Sequence, residues 1–188
     1  MIMLPALSSF FYRIASWKTL LLGLALYIPF PAYIFKHLEA DMNALAGKSL
    51  GPIDLLVGYD PGRVMQMVSE YGPEGRALYA RGELTDDLAY PLIYTFLLCV
   101  ILSLLYRNRI YSPFRLVNIV PVWIWAFDLL ENLCIVYLLK SYPETSIAVA
   151  SFCSVLTNLK WAAFAVVLGF IVYGFVRWVV GGRQPQLG

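Results

Sequence analysis

Four apolar runs, over residues 17–35, 87–106, 116–139 and 147–180, constrain this chain more than anything else in it. Each is close to, or longer than, the roughly 20 residues that cross a hydrocarbon core as a helix. Inside a bilayer the backbone has no water to bond, so a spanning run of this kind must be helical. The chain is 60% hydrophobic with mean hydropathy +0.69, well above the usage of soluble domains. We read it as an all-α polytopic membrane protein, a four-transmembrane-helix bundle.

Charge sets the expected orientation. Arg13, Lys18, Arg107, Arg109, Arg115, Arg177 and Arg183 flank the spans on one side, with no acid among them. Ten of the twelve carboxylates fall on the other side, and the remaining two are Asp128 and Glu131. The positive-inside rule then places both termini in the cytoplasm. A plasma or bacterial inner membrane is the expected location. Anionic headgroups suffice as partners for the basic residues, and no nucleic acid is needed to explain them.

Residues 1–16, broken by Pro5 and a serine pair, read as an interfacial segment. Span one (17–35) carries Pro29 and Pro31, which remove backbone donors and loosen its second half. A cleaved signal peptide fits poorly, because the Ala44-Leu45-Ala46 triplet lies about ten residues past the apolar run. Residues 36–86 form a helical cap on the non-cytoplasmic side. Asp60-Pro61 starts a helix with an apolar stripe of Val64, Met67, Val68 and Tyr71, and Gly72-Pro73 stops it. A second short helix is expected over 73–81. Thr85, followed by Asp86 and Asp87, reads as the N-cap of span two. Asp87, Tyr90, Pro91 and Tyr94 share a face and would make a polar vestibule at its mouth. Residues 181–188 are a polar tail.

Span three carries the strongest functional signal. Asp128, Glu131 and Asn132 stand at i, i+3 and i+4, on one face of a helix that should hold no charge. A charge at mid-bilayer costs at least about 2.5–3.5 kcal/mol on insertion scales, so these groups need partners. Trp125 and Asn118 extend the face. Span four offers Ser151, Ser154, Thr157, Asn158 and then Lys160. At 1.5 Å per residue Asp128 lies about 17 Å below the end of its span, with Asn158 at similar depth and Lys160 slightly deeper. A cluster of Asp128, Glu131, Asn132, Asn158 and Lys160 is expected, with Trp123, Trp125 and Trp161 around it. Two carboxylates facing one ammonium leave a surplus negative charge, so one acid keeps a proton or a cation fills the site. A helix-pinning salt bridge is the plainer alternative.

Several chemistries are excluded. His37 is the single histidine, which rules out histidine-rich iron centres and, without a cysteine cluster, argues against a zinc site. Cys99, Cys134 and Cys153 form no CxxC pair, against the quinone-linked disulfide oxidoreductases that share a four-helix layout. No phosphate-cradling glycine loop is present. No cofactor is expected.

The residues thus suggest a site binding or acting on a small amphiphilic or lipid-like molecule. Asp128, Glu131 and Lys160 would be its reactive groups; Asn132, Asn158, Trp125, Asp87, Tyr90 and Tyr94 would be its binding groups. In its long first loop (36–86) and intramembrane acids (Asp128, Glu131), the layout is similar to the EXPERA membrane fold of sterol isomerases. The likeness is one of topology, and no residue role follows from it. Two other classes compete. An ion or proton channel or transporter could use the same polar residues as a homodimer, since four spans are few for a carrier. An accessory subunit would instead dock a partner membrane subunit through its acidic cap.

Overall fold

The computed structural model describes residues 3–107, 113–144 and 146–181; Arg109, the tail from 182 and Arg183 lie outside them. Among the described residues the chain is helical throughout, with no strand. Four helical stretches are long and apolar enough to cross a membrane: Trp17–Ala46, Gly72–Leu105, Phe114–Ser141 and Ile147–Val180.

An N-terminal helix, α1 (Met3–Ile14), precedes them. It turns Ser8, Phe11 and Tyr12 inward and leaves Met3, Leu4 and Phe10 exposed. Its docking is polar as well as apolar. The Ser8 hydroxyl donates to Asn118 Oδ1 at 2.7 Å, and Asn118 Nδ2 donates to Ser8 O and to Ser103 Oγ, each at 3.0 Å. Asn118, which extends the face of span three, therefore pins three segments together on the arginine-rich side.

Span one begins at a capping box, with Ser16 Oγ accepting from Thr19 N–H and Thr19 Oγ1 accepting from Ser16 N–H. It comprises α2 (Trp17–Tyr27), a π-helical turn at Phe30–Ile34 and α3 (Phe35–Ala46). Pro29 and Pro31 deny the helix two donors, and Phe35 N–H reaches back five residues to Phe30 O. The prolines loosen the helix without ending it, so it runs eleven residues past the end read from the sequence. Gly47, at φ 68°, terminates it.

The cap continues through a 3₁₀ turn at Ile53–Leu55 and α4 (Pro61–Glu70), where the Asp60 carboxylate accepts from Gly62 N–H at 3.3 Å. Val64, Met67, Val68 and Tyr71 are buried, as the stripe predicts. They share one core with Ile53 and Tyr79 of the cap, Ile135 and Leu138 of span three and Ala150 of span four. The cap has no separate core; it is built onto one end of the bundle.

The second short cap helix and the cap at Thr85 are not found. A single helix, α5, runs from Gly72 to Leu105. Residues 74–84 are mostly good helix formers, and nothing in Thr85-Asp86-Asp87 obliges the backbone to stop. Thr85 bonds within the helix, its hydroxyl donating to Arg81 O at 2.9 Å. The turn between α4 and α5 is made by Gly72 at φ 67°. A 3₁₀ segment (Pro113–Ile119) leads into α6 (Pro121–Ser141), and α7 (Ile147–Gly181) completes the bundle. Helices α5 and α6 hold the interior. Span one and α7 pack on their flanks, and much of their apolar surface (Leu21, Leu22, Phe152, Val172 among it) is exposed for lipid.

Candidate functional site

The polar interior is centred on Lys160 of α7. Its Nζ lies 2.6 Å from Glu131 Oε2 and 3.1 Å from Asp128 Oδ1, and donates to the backbone oxygen of Asp54 in the cap at 3.4 Å. The other carboxylate oxygens have hydroxyl partners. Tyr94 of α5 donates to Asp128 Oδ2 at 2.6 Å, and Thr157 of α7 donates to Glu131 Oε1. Asp128 and Lys160 are each 8% exposed and Glu131 not at all. Spans two, three and four and the cap thus meet at one ion-pair network, and the i, i+3 spacing of the acids aims both at one ammonium.

Other residues of the expected cluster are placed differently. Asn132 is buried, but its amide donates to the backbone oxygen of Asp87 at 2.7 Å. Pro91 explains this: it has no N–H, so the carbonyl four residues before it is left without its helical partner, and Asn132 supplies one. Asn132→Ala is therefore expected to cost about 1–3 kcal/mol of stability in the parent. In a Pro91→Ala background, where the helix regains its own donor, the cost should shrink to less than half, and a double-mutant cycle on unfolding in detergent measures the difference.

Asn158 is exposed and outside the ion-pair network; its Oδ1 accepts from Gly58 N–H at 3.1 Å. Thr157, one residue earlier, takes the buried position facing Glu131. Trp125 is half-buried and makes none of the network's hydrogen bonds. Trp123 is 62% exposed and packs on Phe127, so of the three tryptophans only Trp161 stands beside a charge, its ring 5.9 Å from Lys160 Nζ. Tyr90 stacks on Tyr27 and meets Tyr94 edge to face. Asp87 is half-buried and close enough to Asp54 and Asp128 to interact with both charges.

The structure adds residues not singled out in the sequence. The cap segment before α4 lies across the network. Ser154 donates to Tyr59 O at 3.1 Å, Tyr59 and Thr157 share a hydroxyl contact at 3.3 Å, and Tyr79 bridges Ile53 N–H and Asp54 Oδ1. Glu83 of α5 is completely buried, and neither carboxyl oxygen has a hydrogen-bond partner. Asp54, Glu83, Asp87, Asp128 and Glu131 interact electrostatically around a single ammonium. Among the described residues, no group of three or more His, Cys, Asp or Glu side chains is arranged to hold a metal ion.

Lost hydration, reinforced by the Asp128 charge and only partly offset by Lys160, holds the Asp54 carboxyl above the ordinary aspartate range. The folded chain then binds this proton more tightly than the unfolded chain does. The associated stability is full below about pH 3.8, the ordinary value, and is lost as pH rises through the higher folded value. Asp54→Asn should flatten that part of the stability–pH curve, read as the difference between variant and parent unfolding in detergent.

Compared with protein-family models, with curated proteins and with solved structures, the chain matches none. The topological likeness to the EXPERA fold gains no support from these comparisons.

Proposed function

We propose that the chain is a multi-pass membrane protein, with both termini on the arginine-rich cytoplasmic side, whose buried network binds or acts on a small amphiphilic or lipid-like molecule. Asp128 and Glu131 exchange a proton with the ligand or hold its cationic head, and Lys160 sets their charge. The observation that carries this reading is the surplus of buried carboxyls over ammonium beneath a cap segment. That segment meets α7 through a few hydrogen bonds: Asp54 O and Tyr59 O accept from Lys160 and Ser154, Gly58 N–H donates to Asn158, and the Tyr59 hydroxyl meets that of Thr157. A network serving only to join helices would need one acid per lysine, since each further buried carboxyl costs stability. Perturbed carboxyls of this kind characterise sites where protons or cations are handled.

A through-path for ions is the weaker reading. Towards the arginine-rich side, Leu102, Ile124 and Val167 are buried around Tyr94, and Ser103 and Ser8 are both bonded to Asn118. On that side the polar network is followed by packed apolar side chains. The test is thermal unfolding of the full chain in non-ionic detergent with a long-chain amine, a sterol or a fatty acid. At least one class should raise the midpoint saturably in the parent but not in Glu131→Gln. A Glu131→Gln protein of parental stability that still binds the same amphiphile would refute the proposal.

A further inference from the structure

A second site lies at the cap end of α5 and α6. A groove of about 500 Å³ runs between them, lined by the cations Arg76, Arg81 and Lys140 and by apolar Ala80, Leu84 and Leu139. No acid lines it. That is unexpected on the side of the chain that carries ten of its twelve carboxylates. Of the other cations on that side, Lys48 and Arg63 pair with Glu70, at 3.2 and 3.6 Å, and among the described residues Lys36 stands alone and exposed on span one. Among the described residues, Arg76, Arg81 and Lys140 have no carboxylate within ion-pair distance, so three like charges line one groove without a counter-charge.

Arg76 is also held in place. Its guanidinium lies 4.0 Å over the Tyr142 ring and one of its nitrogens donates to Val68 O at 3.2 Å, which leaves further N–H donors free. Depth identifies the kind of ligand. The Asn132–Asp87 bond marks a common level on α6 and α5. Lys140 lies about 12 Å beyond it on α6 and Arg81 about 9 Å beyond it on α5, at 1.5 Å per residue. Lys140 closes the third candidate span, so the cations stand at its headgroup end, with Leu84 and Leu139 beside them.

We infer that this groove binds the phosphate of an anionic, phosphodiester-headed lipid, with its acyl chain along Leu84 and Leu139. Apolar lining side chains at the end of a membrane-spanning helix favour a lipid over free phosphate, and three cations favour a net anionic head over a zwitterionic one. The site is separate from the acidic network and does not depend on its role.

The test is thermal stabilisation of the full chain in non-ionic detergent by dioctanoyl-phosphatidylglycerol, with dioctanoyl-phosphatidylcholine and inorganic phosphate as comparisons. Saturable stabilisation by phosphatidylglycerol is expected, and it should weaken as salt is raised from about 50 to about 500 mM. Its apparent Kd should rise about tenfold for each cation removed, in Arg81→Gln and in Lys140→Gln, and Arg81→Lys should recover part of it. Both residues are exposed; should Arg81→Gln fail to fold, Lys140→Gln alone is read, and an unchanged Kd there overturns the assignment. Equal stabilisation by phosphatidylcholine would mean that only the chains are recognised. Equal stabilisation by inorganic phosphate would mean a free-anion site. Either result overturns the lipid assignment.

Discussion

Lys160→Met is expected to destabilise the protein by about 3–5 kcal/mol, the cost of leaving buried charge without its partner. Methionine nearly keeps the volume, so the effect is electrostatic rather than steric. Glu131 is deprived of its ammonium partner at 2.6 Å and Asp128 of the same partner at 3.1 Å, leaving Thr157 and Tyr94 as their remaining donors. The bond from Lys160 to Asp54 O in the cap goes as well. Removing one carboxylate at the same time should restore much of the stability, because deleting both ends of a buried ion pair is often near neutral. Unfolding of Lys160→Met and of Lys160→Met with Glu131→Gln, measured in detergent, checks this. A single variant as stable as the parent would mean that the hydroxyls alone satisfy the acids.

Glu83→Met is expected to act in the opposite direction, raising stability by about 2–4 kcal/mol at neutral pH, since two unpaired buried oxygens cost about 1–3 kcal/mol each. Methionine matches the glutamate in length and helix propensity and needs no partner. Like-charge interaction with Asp54, Asp87, Asp128 and Glu131 adds to what the substitution removes. A stability gain coupled to loss of amphiphile binding would mark Glu83 as a residue kept for function at the expense of stability. Destabilisation by Glu83→Met would instead mean that its carboxyl shares a proton with a neighbour. Denaturation midpoints of parent and variant decide between them.

Glu83 also shows how a local reading missed a site residue. Positions 83, 87, 90 and 94 lie on one helical face, at i, i+4, i+7 and i+11. That alignment is visible only if the helix runs through Thr85. Reading Thr85-Asp86-Asp87 as a helix start left Glu83 in the 36–86 cap, apart from the face of span two. Helix-start signals are local and worth about 1 kcal/mol, which tertiary packing outweighs. Here Tyr79, Ala80 and Glu83 are buried against the rest of the chain, and continuing the helix is what buries them.

Other parts of the site were legible for a definite reason. The shared face of Asp128 and Glu131 follows from 3.6 residues per turn, and a lysine at matching depth follows from 1.5 Å per residue. Both are properties of a single helix. The rotation of one helix about its axis relative to a neighbour is not, because it is set by the packing between them. One residue is a rotation of about 100°, which separates Thr157, bonded to Glu131, from exposed Asn158, bonded to the cap. The path of the segment from 48 to 60 depends in the same way on contacts distant in sequence, Tyr79 and Ser154 among them.

From its sequence alone, then, this chain is legible as four helical runs able to cross a membrane, with two acids on one face and a lysine within reach. Those features rest on hydropathy and helical period, which each segment carries by itself. Only the tertiary structure decided that Asn132 completes the backbone gap left by Pro91, that Glu83 joins the buried acids, and that the Asp54 carbonyl lies over Lys160. Each of these depends on which atoms of different segments come within bonding distance, and that is determined when α5, α6, α7 and the cap pack together.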